Sequence, residues 1–151
     1  MTMENQNYTT AILVNKPLSK AFEAVNNVRS WWTENIKGNT QKLNDEFEVR
    51  FGDVHYSKQK LIEFVPERKV VWLVTDSKLS FVKNQQEWTN TRITFELSES
   101  NGQTLIRFTH LGLVPEYECH EACSGAWSGY IHDSLKELIE TGEGKPESKV
   151  M

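Results

Sequence analysis

The middle of this chain has the pattern of consecutive antiparallel β-strands, and one long helical pattern follows it. Over residues 36–111, apolar and polar residues alternate in segments separated by turn-forming residues, which indicates strands with one wet face. Beyond Pro115, residues 116–141 fit a helix of several turns with Gly142 as its C-terminal stop. A sheet with one apolar face and a single terminal helix can bury their apolar surfaces against each other when the sheet curls around the helix. The order of patterns therefore predicts an α+β fold of this kind.

The segment before residue 36 predicts one strand and two short helices. Tyr8–Val14 is rich in β-branched and aromatic residues and predicts the first strand. Pro17 suits a first helical position, and the residues after it at one-face helical spacing are Leu18, Ala21, Phe22 and Val25. A second short helix is expected to carry residues 30–32. Of its adjacent tryptophans, Trp31 and Trp32, one is expected to face the core and the other the rim, as a lid over a pocket.

Five segments carry the clearest strand signals. They are residues 46–51, His55–Val65, residues 69–75, residues 92–99 and Gln103–Leu111. The last two are separated by a Ser-Asn-Gly turn and predict a hairpin. Residues 81–87 fit either a strand or a loop. Together with the first strand and the segment that begins at Ile36, these patterns predict a sheet of six or seven strands.

Length and charge limit the class of protein. A chain of 151 residues with 38% hydrophobic content fits a single domain over 1–151, with a core at about 8–141 and two flexible tails. The net charge of -4 argues against nucleic acid or an anionic membrane as a partner. No segment approaches the roughly 20 apolar residues that span a bilayer, and residues 1–7 lack the apolar region of a signal peptide. A cytoplasmic location is therefore expected.

The two cysteines, Cys119 and Cys123, lie one turn apart in the predicted helix, so a structural disulfide is not expected. With His120 they suggest a metal site, because residues at i and i+4 share a helix face. Helix geometry sends His120 to a different face, however, and the chain has no paired CxxC motif. We therefore expect buried thiols, and neither a metal nor a cofactor.

Motifs spread over nearly the whole chain occur in a characteristic order. They are Pro17 with its helix and Phe22, the Trp31-Trp32 pair, residues 64–72, residues 92–95, residues 103–113, Trp127, and residues 134–136 before Gly142. In this order they resemble the START-like superfamily of helix-grip domains, and within it the family named after the activator of heat-shock protein 90 ATPase. The resemblance implies a curved antiparallel sheet wrapped around the C-terminal helix. It also implies a protein that holds a lipid, polyketide, flavonoid or plant hormone in its interior. A few members of the superfamily are instead chaperone partners, cyclases or self-sacrificing resistance proteins.

The predicted interior is rich in large rings, since the chain has 5 Trp, 4 Tyr and 7 Phe. Large rings pack less closely into a concave space than aliphatic side chains do, so a gap between sheet and helix is expected. The residues predicted to line this gap and contact a ligand are Trp32, Val49, Phe51, Trp72, Phe95, Phe108, His110, Trp127, Tyr130, Ile131 and Ser134. Each apolar one of these alone is more readily explained as ordinary core, so the hypothesis concerns the set.

Three polar members of this set could orient a ligand. His110 shares the strand parity of Ile106 and Phe108, so it is expected to point inward near the pocket opening. Tyr130 and Ser134 add hydroxyl groups on the predicted helix face. The alternative for His110 is a core histidine with a backbone partner, and the two hydroxyls could equally satisfy each other or the backbone.

Three functions follow from these patterns. The favoured one is non-catalytic binding of a small hydrophobic ligand, such as a lipid, a flavonoid or a polyketide-like molecule, in an internal cavity. The second, which only the resemblance to the chaperone-activator family implies, is a protein-interaction role, with a chaperone or a second copy of the chain as the partner. The third is a cyclase or hydrolase that uses His110 as acid or base, which is disfavoured because no nucleophile, base and orienting group occur as a recognisable set.

Overall fold

The computed structural model describes residues 7–51, 55–80, 82–113 and 120–146. In chain order its elements are β1 (Tyr8–Val14), α1 (Leu18–Asn26), a 3-10 turn (Val28–Ser30), β2 (Ile36–Gly38), β3 (Glu46–Phe51), β4 (His55–Val65), β5 (Lys69–Leu79), β6 (Arg92–Ser100), β7 (Gln103–Leu111), α2 (His120–Gly129), a π-helical segment (Tyr130–Leu135) and α3 (Lys136–Thr141). The last three are continuous and are called the C-terminal helix below.

The strands form one antiparallel sheet in the order β1-β7-β6-β5-β4-β3-β2. The two longest strands, β4 and β5, have 11 residues each and lie side by side near its centre. Their pairing shifts register between Lys58 and Gln59 and again between Leu61 and Glu63. Such irregularities bend a strand and increase its twist. The sheet curves around the C-terminal helix, which confirms the predicted helix-grip fold.

The concave face of the sheet and the C-terminal helix enclose a core of stacked rings. Trp32 lies parallel to Trp72 of β5, with ring centroids 5.8 Å apart and an interplanar angle of 7°. Trp31 also stacks on Trp72, with ring centroids 6.4 Å apart. Trp127 of α2 packs on Trp32, with ring centroids 4.8 Å apart. These four indoles are at most 1% exposed. Most of the space between sheet and helix is therefore filled by protein.

The prediction that one of the two adjacent tryptophans lies at the rim was wrong. The 3-10 turn ends at Ser30, and Trp31 follows with a φ of -133°. Helical periodicity no longer applies to this backbone, so consecutive side chains need not diverge. Trp31 and Trp32 are both buried, and their rings stack at 6.3 Å.

The remaining differences concern the ends of elements. β5 continues to Leu79 rather than stopping at residue 75, and the described part of the ambiguous segment, residues 82–87, forms turns. Gly142 ends the C-terminal helix as predicted, with a φ of 92° and its N–H bonded to the carbonyl of Leu138 at 2.9 Å. The predicted start of that helix at residue 116 lies outside the described residues, as do Cys119, residues 1–6 and residues 147–151.

The first residues of the predicted C-terminal tail contact the folded body. The backbone N–H of Lys145 donates to Oγ of Ser134 at 2.7 Å. A side chain at Gly144 would meet the carbonyl oxygen of Ser30, because a Cβ there would lie 2.2 Å from it. Among the helices that the structure describes, none has the length and apolar character needed to cross a bilayer.

Candidate functional site

An apolar cavity remains at one end of the ring core, between the β3–β4 end of the sheet and the C-terminal helix. Its volume is about 170 Å³, and its lining residues are Trp32, Phe51, His55, Trp88, Ala122, Cys123, Ala126, Trp127 and Tyr130. Phe51 ends β3, His55 begins β4, and Trp88 comes from the loop between β5 and β6. None of these described lining residues is a Lys, Arg, Asp or Glu.

The helical wall of the cavity follows from helical spacing. Ala122, Ala126 and Tyr130 recur every four residues, and Cys123 and Trp127 form the neighbouring row, so both rows face the same side. Ala122 and Ala126 are exposed, which places the opening of the cavity beside them. Tyr130 stacks on Phe51 at 6.2 Å and closes the cavity at the point where the helix changes to π geometry. Single π turns inside helices occur frequently at functional sites.

His110 of β7 is a fully paired histidine behind the cavity wall. The indole N–H of Trp127 donates to its Nδ1 at 3.1 Å, so this nitrogen is an acceptor and the ring proton lies on Nε2. Nε2 then donates to Oγ1 of Thr91 at 2.8 Å, and that hydroxyl donates to the carbonyl of Trp88 at 2.6 Å. Burial lowers the pKa of His110 to about 3, and the nearby His55 adds to the shift. His110 is therefore a neutral core residue, and it does not line the cavity.

His55 is the histidine that the structure places in the cavity wall. It is 9% exposed, and burial lowers its pKa to about 3. Its Nε2 lies 2.9 Å from Oγ of Ser57, and Nε2 of Gln59 donates to that same hydroxyl oxygen at 2.6 Å. His55, Ser57 and Gln59 alternate along β4, so all three face inward and form a polar row in an otherwise apolar interior.

Trp88 separates the two buried histidines. Its ring centroid lies 4.8 Å from that of His55 and 4.8 Å from that of His110, with interplanar angles of 83° and 86°. The indole nitrogen Nε1 of Trp88 is fully buried and has no hydrogen-bond acceptor among the described residues. Trp88 therefore separates the histidine in the cavity wall from the histidine in the core.

The structure brings together only part of the predicted ligand-binding set. Those at the cavity are Trp32, Phe51, Trp127 and Tyr130. Those packed in the core away from it are Val49, Trp72, Phe95, Phe108 and Ile131. Ser134 does not line the cavity either. Its hydroxyl donates to the carbonyl of Trp31 at 2.7 Å.

Five lining residues were not in the predicted set, namely His55, Trp88, Ala122, Cys123 and Ala126. The period-2 alternation of β4 contains the signal for His55, because it gives that residue the same parity as the buried Leu61. Trp88 lies in a turn-rich loop, where no periodicity indicates which side chains face inward. Ala122 and Ala126 line the cavity because they are small, which a hydrophobic pattern does not reveal.

The suggested metal site has no counterpart among the described residues, which contain no cluster of three or more His, Cys, Asp or Glu side chains that could hold an ion. Cys123 is a buried cysteine at the cavity wall. Its suggested partner Cys119 lies outside the described part of the chain.

Two larger depressions lie elsewhere on the surface. One, of about 570 Å³, is lined by residues that include Lys20, Glu23 and Glu140, and the other, of about 630 Å³, by residues that include Arg50 and Asp76. Both are open and lined by charged side chains, and neither borders the buried rings. The smaller cavity is the candidate site because its apolar walls, which carry no Lys, Arg, Asp or Glu among the described residues, can desolvate an apolar ligand.

Comparison with known proteins identifies relatives of the fold and of the sequence. Residues 17–140 match the model of a family described as activator of Hsp90 ATPase homolog 1-like protein. No curated protein gave a match. This family is the one that the sequence motifs resembled, so that prediction is confirmed.

Solved structures share the fold at low sequence identity. The Aha1 dimer from Colwellia psychrerythraea has a TM-score of 0.74 at 24% identity, over 91% of this chain and 98% of that one. A conserved protein of unknown function from Enterococcus faecalis has a TM-score of 0.68 at 18% identity, over 99% and 80% of the two chains. A putative protein in the dynemicin biosynthetic locus has a TM-score of 0.65 at 14% identity, over 93% of this chain and 49% of that one.

Proposed function

We propose that this chain, which belongs to the activator of Hsp90 ATPase homolog 1-like family, binds a small hydrophobic molecule in the cavity between β3, β4 and α2. The observation that carries the proposal is the cavity itself, which is walled by rings yet opens beside two exposed alanines. The wider fold family commonly binds hydrophobic ligands, which supports the same conclusion.

The volume of the cavity limits the size of the ligand. Its 170 Å³ is close to the roughly 150 Å³ of an engineered apolar cavity that stays dry and binds benzene. Pockets for drug-sized ligands are larger, about 300–1,000 Å³. In this conformation the cavity therefore suits a single substituted ring, whereas a flavonoid, a polyketide or a full acyl chain needs more space.

The composition of the cavity wall limits the polarity of the ligand. Apolar surface removed from water contributes about 25 cal/mol per Å². An anion buried there has no Lys or Arg among the described lining residues to offset its lost hydration. We therefore propose a neutral aromatic or similarly compact apolar molecule as the ligand.

The test is direct binding of single-ring compounds to the full chain. Toluene and cumene (isopropylbenzene) would be titrated while tryptophan fluorescence is recorded, since three of the lining residues are tryptophans. We expect saturable quenching or enhancement, and a rise in Tm in the same concentration range because the ligand binds only the folded state. A two-ring compound such as biphenyl serves as the size control and is expected to bind more weakly. The absence of saturable binding by toluene and cumene would refute the proposal.

A further inference from the structure

Like Trp88, whose fully buried Nε1 has no partner among the described residues, His55 has a ring nitrogen that these residues leave without a hydrogen bond. Its Nε2 is paired with Oγ of Ser57 at 2.9 Å, whereas no described residue forms a hydrogen bond with Nδ1. His110 differs on this point, because both of its ring nitrogens have partners. The unused nitrogen belongs to a side chain that borders the cavity.

The hydrogen-bond row along β4 determines which nitrogen of His55 carries the proton. In the orientation that the structure gives the Gln59 amide, its Nε2 donates to Oγ of Ser57 at 2.6 Å, and its Oε1 is buried without a partner among the described residues. Ser57 is fully buried, and the remaining described partner for its own hydroxyl proton is Nε2 of His55. A buried hydroxyl proton without an acceptor would be costly, so Ser57 donates and Nε2 accepts. A neutral imidazole that accepts at Nε2 carries its proton on Nδ1.

We infer that His55 donates a hydrogen bond from Nδ1 into the cavity and thereby selects uncharged single-ring ligands that carry an acceptor, such as a ketone oxygen. This inference rests on the proposed function, because it assigns the polar contact of the same ligand. The imidazole stays neutral at physiological pH because of its burial, so it offers a donor without a positive charge. A carboxylate in the same position would lose its hydration without gaining a cation.

The test compares three ligands of similar shape on the full chain. Acetophenone carries the acceptor, cumene replaces its carbonyl group with a CH bearing a methyl group, and benzoate has a charged carboxylate in place of the acetyl group. Each Kd is measured for the wild type and for His55→Phe, which keeps a ring in the wall. The change in the ratio of the acetophenone Kd to the cumene Kd between wild type and variant cancels the difference in hydrophobicity between the ligands and any change in packing that affects both equally.

We expect His55→Phe to raise that ratio about two- to twelvefold, which corresponds to the loss of one ordinary hydrogen bond. Benzoate is expected to bind at least about tenfold more weakly than acetophenone. An unchanged ratio, or benzoate binding as tight as that of acetophenone, would overturn the role assigned to His55. If cumene still binds in that case, the proposed function remains intact. If cumene itself does not bind, the proposed function fails instead.

A second measurement on the wild type does not depend on the folding of the variant. Nitrogen-15 NMR of labelled histidine distinguishes the two neutral tautomers of His55. We expect the Nδ1–H form, with an Nδ1 signal that shifts when acetophenone is added and stays in place with cumene. Observation of the Nε2–H form would overturn the inference.

Discussion

The indole N–H of Trp127 donates to Nδ1 of His110 at 3.1 Å, across the interface between the C-terminal helix and the sheet. Both residues are at most 1% exposed, so neither group can turn to water if the other is lost. This single bond fixes the tautomer of the histidine and links the element that closes the fold to the strand beneath it.

We expect His110→Leu to destabilise the fold, because it leaves the Trp127 N–H buried without its acceptor at a cost of about 1–3 kcal/mol. Urea unfolding measures the effect. In a Trp127→Phe background the orphaned donor is absent, so the same histidine replacement should cost less. Equal losses in the two backgrounds would show that the hydrogen bond contributes nothing and that the effect is one of packing.

Stability is expected to fall as the pH decreases from about 6.5 toward 3. Burial lowers the pKa of His55 and of His110 from 6.5 to about 3 in the folded state. Between these values the unfolded chain binds more protons than the native one, so the free energy of unfolding rises with pH across this window. Each histidine contributes a slope of about 1.4 kcal/mol per pH unit.

Urea titrations between pH 7 and 5 test this dependence, because Asp and Glu carboxyls have ordinary pKa values near 4 and contribute most of their change below that range. His55→Phe is expected to remove about half of the slope. A slope that is equally steep in this variant would assign the pH dependence to other groups.

The opening of the cavity can be closed by one substitution. Ala126→Leu adds a branched side chain at an exposed lining position, and its overlap with the ligand should weaken cumene binding about fivefold or more. Gly125→Leu is the matched control, because residue 125 is exposed, lies outside the lining, and has open space where its Cβ would stand. Equal affinity in both variants would place the bound ligand elsewhere.

Two serines of the C-terminal helix, the buried Ser134 and the half-buried Ser124, should respond differently to alanine. Ser134 donates to the carbonyl of Trp31 and accepts from the backbone of Lys145, both at 2.7 Å. Ser134→Ala removes both bonds, and we expect a loss of about 1–3 kcal/mol and faster proteolysis after Gly142. Oγ of Ser124 has no partner among the described residues, so Ser124→Ala should be neutral or slightly stabilising. A larger loss at Ser124 than at Ser134 would contradict this assignment.

The fold was predictable because buried and exposed residues alternate with the period of a strand or a helix, and this alternation is visible in the local sequence. The hairpin that the turn residues predict is formed by β6 and β7, with Phe95 opposite Phe108. Gly142 ends the C-terminal helix because its φ of 92° suits a residue without a side chain. Such signals act over a few residues, and they are already present before the chain folds.

The site was only partly predictable, because it depends on which side chains from distant elements fill the same space. Strand alternation placed Phe51 inside and helical spacing placed Trp127 there, and both line the cavity. The apolar run of β5 and the alternation of β6 likewise placed Trp72 and Phe95 inside, yet these rings pack against each other at 5.0 Å and do not line the cavity. Periodicity indicates the face on which a residue lies, whereas the remaining volume depends on how the opposing side chains interlock.

The amino-acid sequence alone determined the order of strands and helices, the faces that are buried and the family, because these depend on local periodicity and on the spacing of motifs. Only the tertiary structure decided that five buried indoles pack together in the interior, that His110 lies behind Trp88, and that His55 borders the remaining cavity. The physical reason is that a cavity is the difference between the volume that the elements enclose and the volume of the side chains inside it. Neither volume is specified until strands and helix that are far apart in the chain have packed together.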